Sequence, residues 1–359
     1  MNRKALRRLS TMVIYSRGLA LIELMIAMVL GLVIIGAVTG IMLSNIQGFR
    51  TTRGLSQIQD SARVGYELLA RDIRQAGNLP CGNKIEDVVN ILNAAQGAAA
   101  NVPWQYDFIN NRFIGFDGDS ALDGVSNQVA GTESIVMLSG ETNGAYMLNY
   151  SAGNNGASFD VGTPDNAPHG FTAGNILMAC NEQLATIFQV TNINGSGNLV
   201  VNTGGSTSPG NCTKGLGETE PGSGNQLCST NGTAGPYGPN TVLATLSSTA
   251  WYIGDNGRAD EGGRSLYMAR LDAGGTGTAI NEIEIAAGVT EMNLRYRLID
   301  TADFIDATTV GNRWADVNAV EVRLELLSQD QNVSTNATVN QGRLDRGFTS
   351  VVAIRNRSL

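Results

Sequence analysis

The sequence predicts an α+β protein: one long N-terminal helix, with a membrane half and an amphipathic half, packed on an antiparallel β-sheet domain with long loops. Three observations predict it. An apolar run covers residues 19–43 and holds a single charge, Glu23. Apolar residues then recur at intervals of three and four as far as Ala76. From Lys84 onward the periodicity changes, and short alternating segments are separated by clusters of Gly, Asn, Asp and Ser.

The leader, residues 1–18, carries Arg3, Lys4, Arg7, Arg8 and Arg17 and no acid. Basic residues ahead of an apolar run keep the N-terminus cytoplasmic and send the rest across. At ~1.5 Å rise per residue, residues 19–43 cross a ~30 Å hydrocarbon core with some tilt. An ordinary signal peptide has a shorter apolar core and is cut after it. Glu23 is the exceptional residue of the run. A charge near the bilayer centre costs on the order of 3 kcal/mol on insertion scales, so an opposite charge is expected beside it. A free α-amino group made by cleavage after Gly18 would supply one.

The helix is expected to continue through residues 44–78. Leu55, Ile58, Ala62, Tyr66, Leu69, Ile73 and Ala76 form one apolar stripe, with Gln57, Asp60, Arg63, Glu67 and Arg71 off it. Gly77, Asn78 and Pro80 supply the stop. Gly31, Gly36 and Gly40 weaken the helix interior, which points either to close helix packing in the membrane or to local melting.

Candidate strands follow at 112–116, 134–138, 176–178, 185–190, 199–201, 242–245, 250–253, 265–269, 289–298, 319–327 and 348–354. The stretches 143–174 and 203–240 are dense in Gly, Ser, Asn and Thr, and read as insertions running over the surface. A chain of 359 residues can bury a substantial core. Its net charge is −8, and −13 from Leu19 onward, with 19 basic against 32 acidic residues. An acidic exported part counts against binding a nucleic-acid backbone, which calls for clustered Lys and Arg.

Cys81, Cys180, Cys212 and Cys228 are the only cysteines. In an exported domain they read as two disulfides with three possible connectivities. Cys212–Cys228 is favoured because it closes a Gly- and Ser-rich loop, which leaves Cys81–Cys180 to pin the end of the helix to the sheet. The sole histidine, His169, sits in a polar loop, and no catalytic residue is assigned. An enzyme is not expected, nor is a cofactor other than Ca²⁺. The acidic turns Asp117, Asp119 and Asp123, and Asp255 with Asp260, are Ca²⁺ candidates, although Asp beside Gly is also an ordinary turn former.

Gly18-Leu19-Ala20-Leu21-Ile22-Glu23 resembles the prepilin processing motif of type IV pilins and type II secretion pseudopilins, with Leu19 and Ala20 departing from its commonest residues. Looser matches span most of the exported chain: Trp251-Tyr-Ile-Gly254, Arg264-Ser-Leu-Tyr267, Gln75-Ala-Gly77 with Cys81-Gly82, Ala179-Cys180, and the ending Ala353-Ile-Arg-Asn-Arg357. Together they resemble the PilW-type minor pilins. The resemblance implies a pilin-like fold, with residues 1–18 as a cytoplasmic leader and residues 79–359 as a periplasmic globular domain. It implies cleavage by a prepilin peptidase between Gly18 and Leu19, N-methylation of Leu19, and pairing of Glu23 with the amino terminus of a neighbouring subunit. The implied role is a structural subunit of the inner membrane that helps prime pilus assembly and enters the extracellular filament at or near its tip. Its implied partners are other minor and major pilins, the inner-membrane assembly platform and a PilY-type tip adhesin. The alternatives are a J-class type II secretion pseudopilin and an adhesive or DNA-binding pilus subunit.

Overall fold

The fold is α+β, one long N-terminal helix followed by a large β-rich domain. The structure is a computed structural model, and it describes residues 21–82, 87–96, 102–153, 156–203, 207–218, 228–334 and 340–357. The chain forms two compact units, Met1–Thr52 and Arg53–Leu359. Helix α1 spans Leu21–Gln75 and contributes to both.

In the second unit α1 buries Ile58, Ala62, Leu69 and Ile73, with Ala76 buried just past its end, the core of the stripe, and Leu55 and Tyr66 half-buried at its edges. Gly54 and Gly65 are buried on the same face. A Cβ on Gly65 would stand 2.9 Å from Leu266 Cδ2, so glycine there lets the helix lie closer to the strand than any other residue would. The stop falls where expected. Gly77 takes a left-handed φ of +72°, and its N–H donates to the Leu138 carbonyl at 2.8 Å.

The strands are β1 Val88–Asn90, β2 Phe113–Phe116, β3 Ser134–Glu141, β4 Tyr146–Gly153, β5 Gly156–Gly162, β6 Ile176–Cys180, β7 Ala185–Gln189 and β8 Asn192–Ile193. They continue with β9 Leu199–Val201, β10 Val242–Asp255, β11 Arg264–Gly274, β12 Gly277–Ala287, β13 Val289–Leu298, β14 Phe304–Ile305, β15 Val317–Leu327 and β16 Asp345–Ala353. Two sheets result. The smaller has the order β14-β13-β15-β16, all antiparallel. The larger is organised on β10, whose first residues pair with β6 and whose remainder lies between β3 and β11. Its one parallel pair among the described residues is β1 with β7.

Alternation decides what each sheet buries. Met292, Leu294, Tyr296, Val320, Val322 and Leu324 point inward and meet the stripe of α1, while Glu291, Arg295 and Arg323 point out. Trp251, Ile253 and Leu266 of the larger sheet join this same core. The Trp251 indole N–H donates to Asp72 Oδ2 at 3.0 Å, a polar tie between helix and sheet. On the other face of β10, Ala250 and Tyr252 enter a second core with Trp104, Tyr106 and Phe108. Phe159, Phe188, Leu199 and Leu243 belong to a third.

The structure corrects several expectations. Segments 242–245 and 250–253 are one strand, because Ser247, Ser248 and Thr249 between them are buried in the ladder and not in a turn. Stretch 143–174 is no surface insertion: it holds the hairpin β4–β5, which buries Ala145, Met147, Ala157 and Phe159. Stretch 203–240 also enters the core. Thr213 and Leu216 are fully buried, and the Tyr237 hydroxyl donates to Thr186 Oγ1 at 2.6 Å. Strand β12 lay outside the predicted set and pairs along its length with β11.

Two outcomes are expected. Leu69→Ala lowers the unfolding free energy of the domain by about 3 kcal/mol, whereas Val64→Ala, on the exposed side of α1, changes it little; denaturant titration read by tryptophan fluorescence compares them. Burial raises the Asp72 carboxyl above its ordinary value, against the lowering effects of Trp251 and Arg71. A raised folded value stabilises the fold below the unfolded value and loses that contribution as pH rises through the folded one. Asp72→Asn keeps an acceptor for Trp251 and carries no charge. Its melting temperature therefore gains on the wild type as pH rises from 4 to 7, and parallel melts across that range test it.

Candidate functional site

In the first unit every described residue of segment 21–43 is exposed except Gly31, which is half-buried. Leu21 is 77% exposed and Leu32 70%. The segment has a mean hydropathy of 2.7 over its most apolar window and is long and apolar enough to cross a membrane. Water is a poor solvent for such a surface, and lipid a good one. The backbone donors and acceptors are satisfied within the helix, as a hydrocarbon environment requires. Thr39, one of two polar side chains in the segment, donates its hydroxyl to the Ile35 carbonyl at 2.8 Å, which removes its need for water.

The other polar side chain is Glu23, in the first turn of α1. Gly18 and Leu19, the expected cleavage and methylation positions, lie outside the described residues. The helix is unbroken across Gly31, Gly36 and Gly40, and a Cβ on any of them would meet nothing within 4 Å. This chain's own packing therefore does not require glycine there.

The chain matches no protein-family model, no curated protein and no solved structure.

The remaining candidates divide cleanly. The favoured connectivity is the one observed: Cys81 pairs with Cys180, and Cys212 with Cys228. Cys81 follows the end of α1 and Cys180 ends β6, so the first bond ties helix end to sheet. With sequence separations of 99 and 16, each contributes on the order of 3 to 5 kcal/mol in the chain-entropy view. His169 is engaged locally: its Nδ1 accepts the Phe171 N–H at 3.0 Å, and its ring stacks on Phe171.

Among the described residues no group of three or more His, Cys, Asp or Glu side chains is placed to hold a metal ion. Asp117 accepts the Thr308 hydroxyl at 2.7 Å, and Asp255 Oδ1 accepts the Gly257 N–H at 2.8 Å. Asp119, Asp123 and Asp260 are exposed. The Asp260 carbonyl is taken by Arg343. These are turn-forming roles of the kind that Asp beside Gly ordinarily takes.

Sequence reading missed a cavity of about 320 Å³ beside the end of α1, lined by Arg112 and Arg357 among others. No motif points to it, because the two arginines lie far apart in the chain and only the fold brings them together.

From the acidic turns the expected result is negative. Millimolar Ca²⁺ or a chelator leaves the melting temperature of the full chain unchanged, with no binding heat in calorimetry.

Proposed function

We propose that this chain is a minor subunit of a type IV pilus. The observation that carries the reading is the exposed apolar half of α1, with Glu23 as its only charge, on the same helix that packs into a disulfide-bonded β-rich domain. One helix of this kind supports a single-pass anchor in the inner membrane, with the domain in the periplasm. Disulfides suit an oxidising compartment outside the cytoplasm.

The mechanism is a transfer between two apolar environments. A prepilin peptidase cuts between Gly18 and Leu19, and Leu19 becomes the methylated N-terminus. Segment 21–43 then leaves lipid for a bundle of equivalent helices contributed by other minor and major pilins, so its apolar surface stays dry throughout. In that bundle the Glu23 carboxylate meets the new amino terminus of a neighbouring subunit, where low dielectric strengthens the attraction. The domain remains on the outside, where it meets other minor pilins and a tip adhesin. The assembly platform of the inner membrane drives the transfer.

Two measurements test this. Mass spectrometry of the protein recovered from sheared filaments is expected to show an N-terminus at methylated Leu19; a chain that begins at Met1 there overturns the reading. Glu23→Ala is expected to leave cleavage intact and to reduce the amount entering filaments by about tenfold, the loss of roughly 1.4 kcal/mol of pairing. Secretion components in place of pilus subunits among the co-purifying proteins would move the chain to the pseudopilins.

A further inference from the structure

The cavity beside the end of α1 carries two guanidinium groups and Asn110 on a wall whose apolar part is Leu79, Ile109, Phe113 and Trp314. Arg112 stands immediately before β2, and Arg357 lies in the short 3₁₀ turn after β16. They converge on Gly77: Arg112 Cβ and Arg357 Nη2 each lie 3.7 Å from the point a Cβ there would occupy. Arg112 donates from Nε to the Phe108 carbonyl at 3.2 Å, with its guanidinium carbon 5.0 Å from the centre of the Phe108 ring. Arg357 donates through Nη1 to the carbonyls of Trp314 and Val317, with its guanidinium carbon 5.8 Å from the Phe113 ring centre.

Neither guanidinium forms an ion pair among the described residues. The carboxylate that Arg357 does feel, Asp316, is held by Arg313 at 2.9 Å. Burial lowers both arginines below their ordinary value, and Arg357 falls to about 10, with Arg112 beside it lowering it further. Two like charges share a half-buried wall, and among the described residues their direct contacts are carbonyls and ring faces, with Asp316 offsetting Arg357 from a distance. Such an arrangement is costly unless an anion joins it. The Nη groups of Arg112 and the Nη2 of Arg357 have no hydrogen bond within the described chain. A guanidinium presents planar paired donors that match a carboxylate, and the apolar wall suits a hydrophobic substituent.

We propose that this cavity binds a carboxylate carried on an apolar body, held by Arg112 and Arg357. The alternative is structural: the arginines only offset the negative end of the α1 dipole. The inference does not depend on the pilus reading, and its test leaves that reading untouched.

The test uses the full chain in uncharged detergent, titrated with phenylacetate, with an N-acetylated peptide ending in a free-carboxylate Phe, and with inorganic phosphate. Both carboxylates are expected to raise the melting temperature and to give saturable heat. Arg112→Gln is expected to weaken them by about tenfold or more while melting, without ligand, at or above the wild-type temperature, because one of two adjacent like charges is gone. Arg357→Lys keeps the charge, loses the planar fork and also weakens binding, which covers the case in which Arg112→Gln fails to fold. Tighter binding of the peptide assigns the natural carboxylate to a polypeptide; tighter binding of phenylacetate assigns it to a small organic acid. Three results overturn the proposal: no response to either carboxylate, phosphate binding as tightly as phenylacetate, or variants that melt lower with unchanged carboxylate affinity.

Discussion

An apolar helical surface left exposed among the described residues is the constraint on which the rest of the molecule depends. From Leu21 to Leu43 the large side chains face outward all round the helix. At roughly 1.5–3 kcal/mol for each such side chain removed from water, keeping them wet would cost tens of kcal/mol, more than a domain's whole stability. Such a segment is long and apolar enough to cross a membrane. Everything C-terminal to it is built so that the same helix can change solvent part-way along.

That change is written in the period of the pattern. Up to Leu43 apolar residues occupy every face; from residue 53 the buried ones keep to one face, and Asp60, Arg63, Glu67 and Arg71, with Val64, hold the others. Arg63 and Glu67 pair at 2.9 Å across one turn in full solvent, a contact of small energetic value that nonetheless marks the wet side. The buried side is fitted to strands rather than to helices. Its glycines permit close approach, and Asp72 gives it one polar contact whose acceptor is fixed by Trp251.

Much of this was legible because a period of 3.6 or 2 is a strong signal where large apolar residues alternate with charges. Strand β13 was read to its ends from Val289 to Leu298 for that reason, and the stripe of α1 from Ile58 to Ala76 likewise. The reading failed where small or polar residues do the burying. Gly54 and Gly65 add nothing to an apolar count, yet they sit in the seam. Ser248 is fully buried because its hydroxyl reaches the Gln105 carbonyl at 2.7 Å, a long-range partner invisible in a run of Ser and Thr. Strand β5 alternates Ala, Phe and Val with Ser and Asp between glycines, too faint a pattern to separate from a loop. At the candidate site, Glu23 was legible because one acid in an apolar run is rare. The arginine cavity was not, because its members come from the two ends of the domain.

The end of α1 is fastened to the larger sheet by three independent means within ten residues. Asp72 accepts from Trp251 of β10, Gly77 donates to Leu138 of β3, and Cys81 is bonded to Cys180 of β6. These three strands are neighbours, since β10 pairs with both β3 and β6. A load drawn along the helix axis thus enters the middle of a sheet, where it is shared by a hydrogen-bonded ladder, and not a single loop. A subunit held in a filament by its apolar half and exposed to pull on its domain needs that arrangement. A membrane anchor that never bore load could be joined to its domain by any flexible linker. Under the proposed pilus reading, that fastening is what would carry a pull on the domain into the sheet.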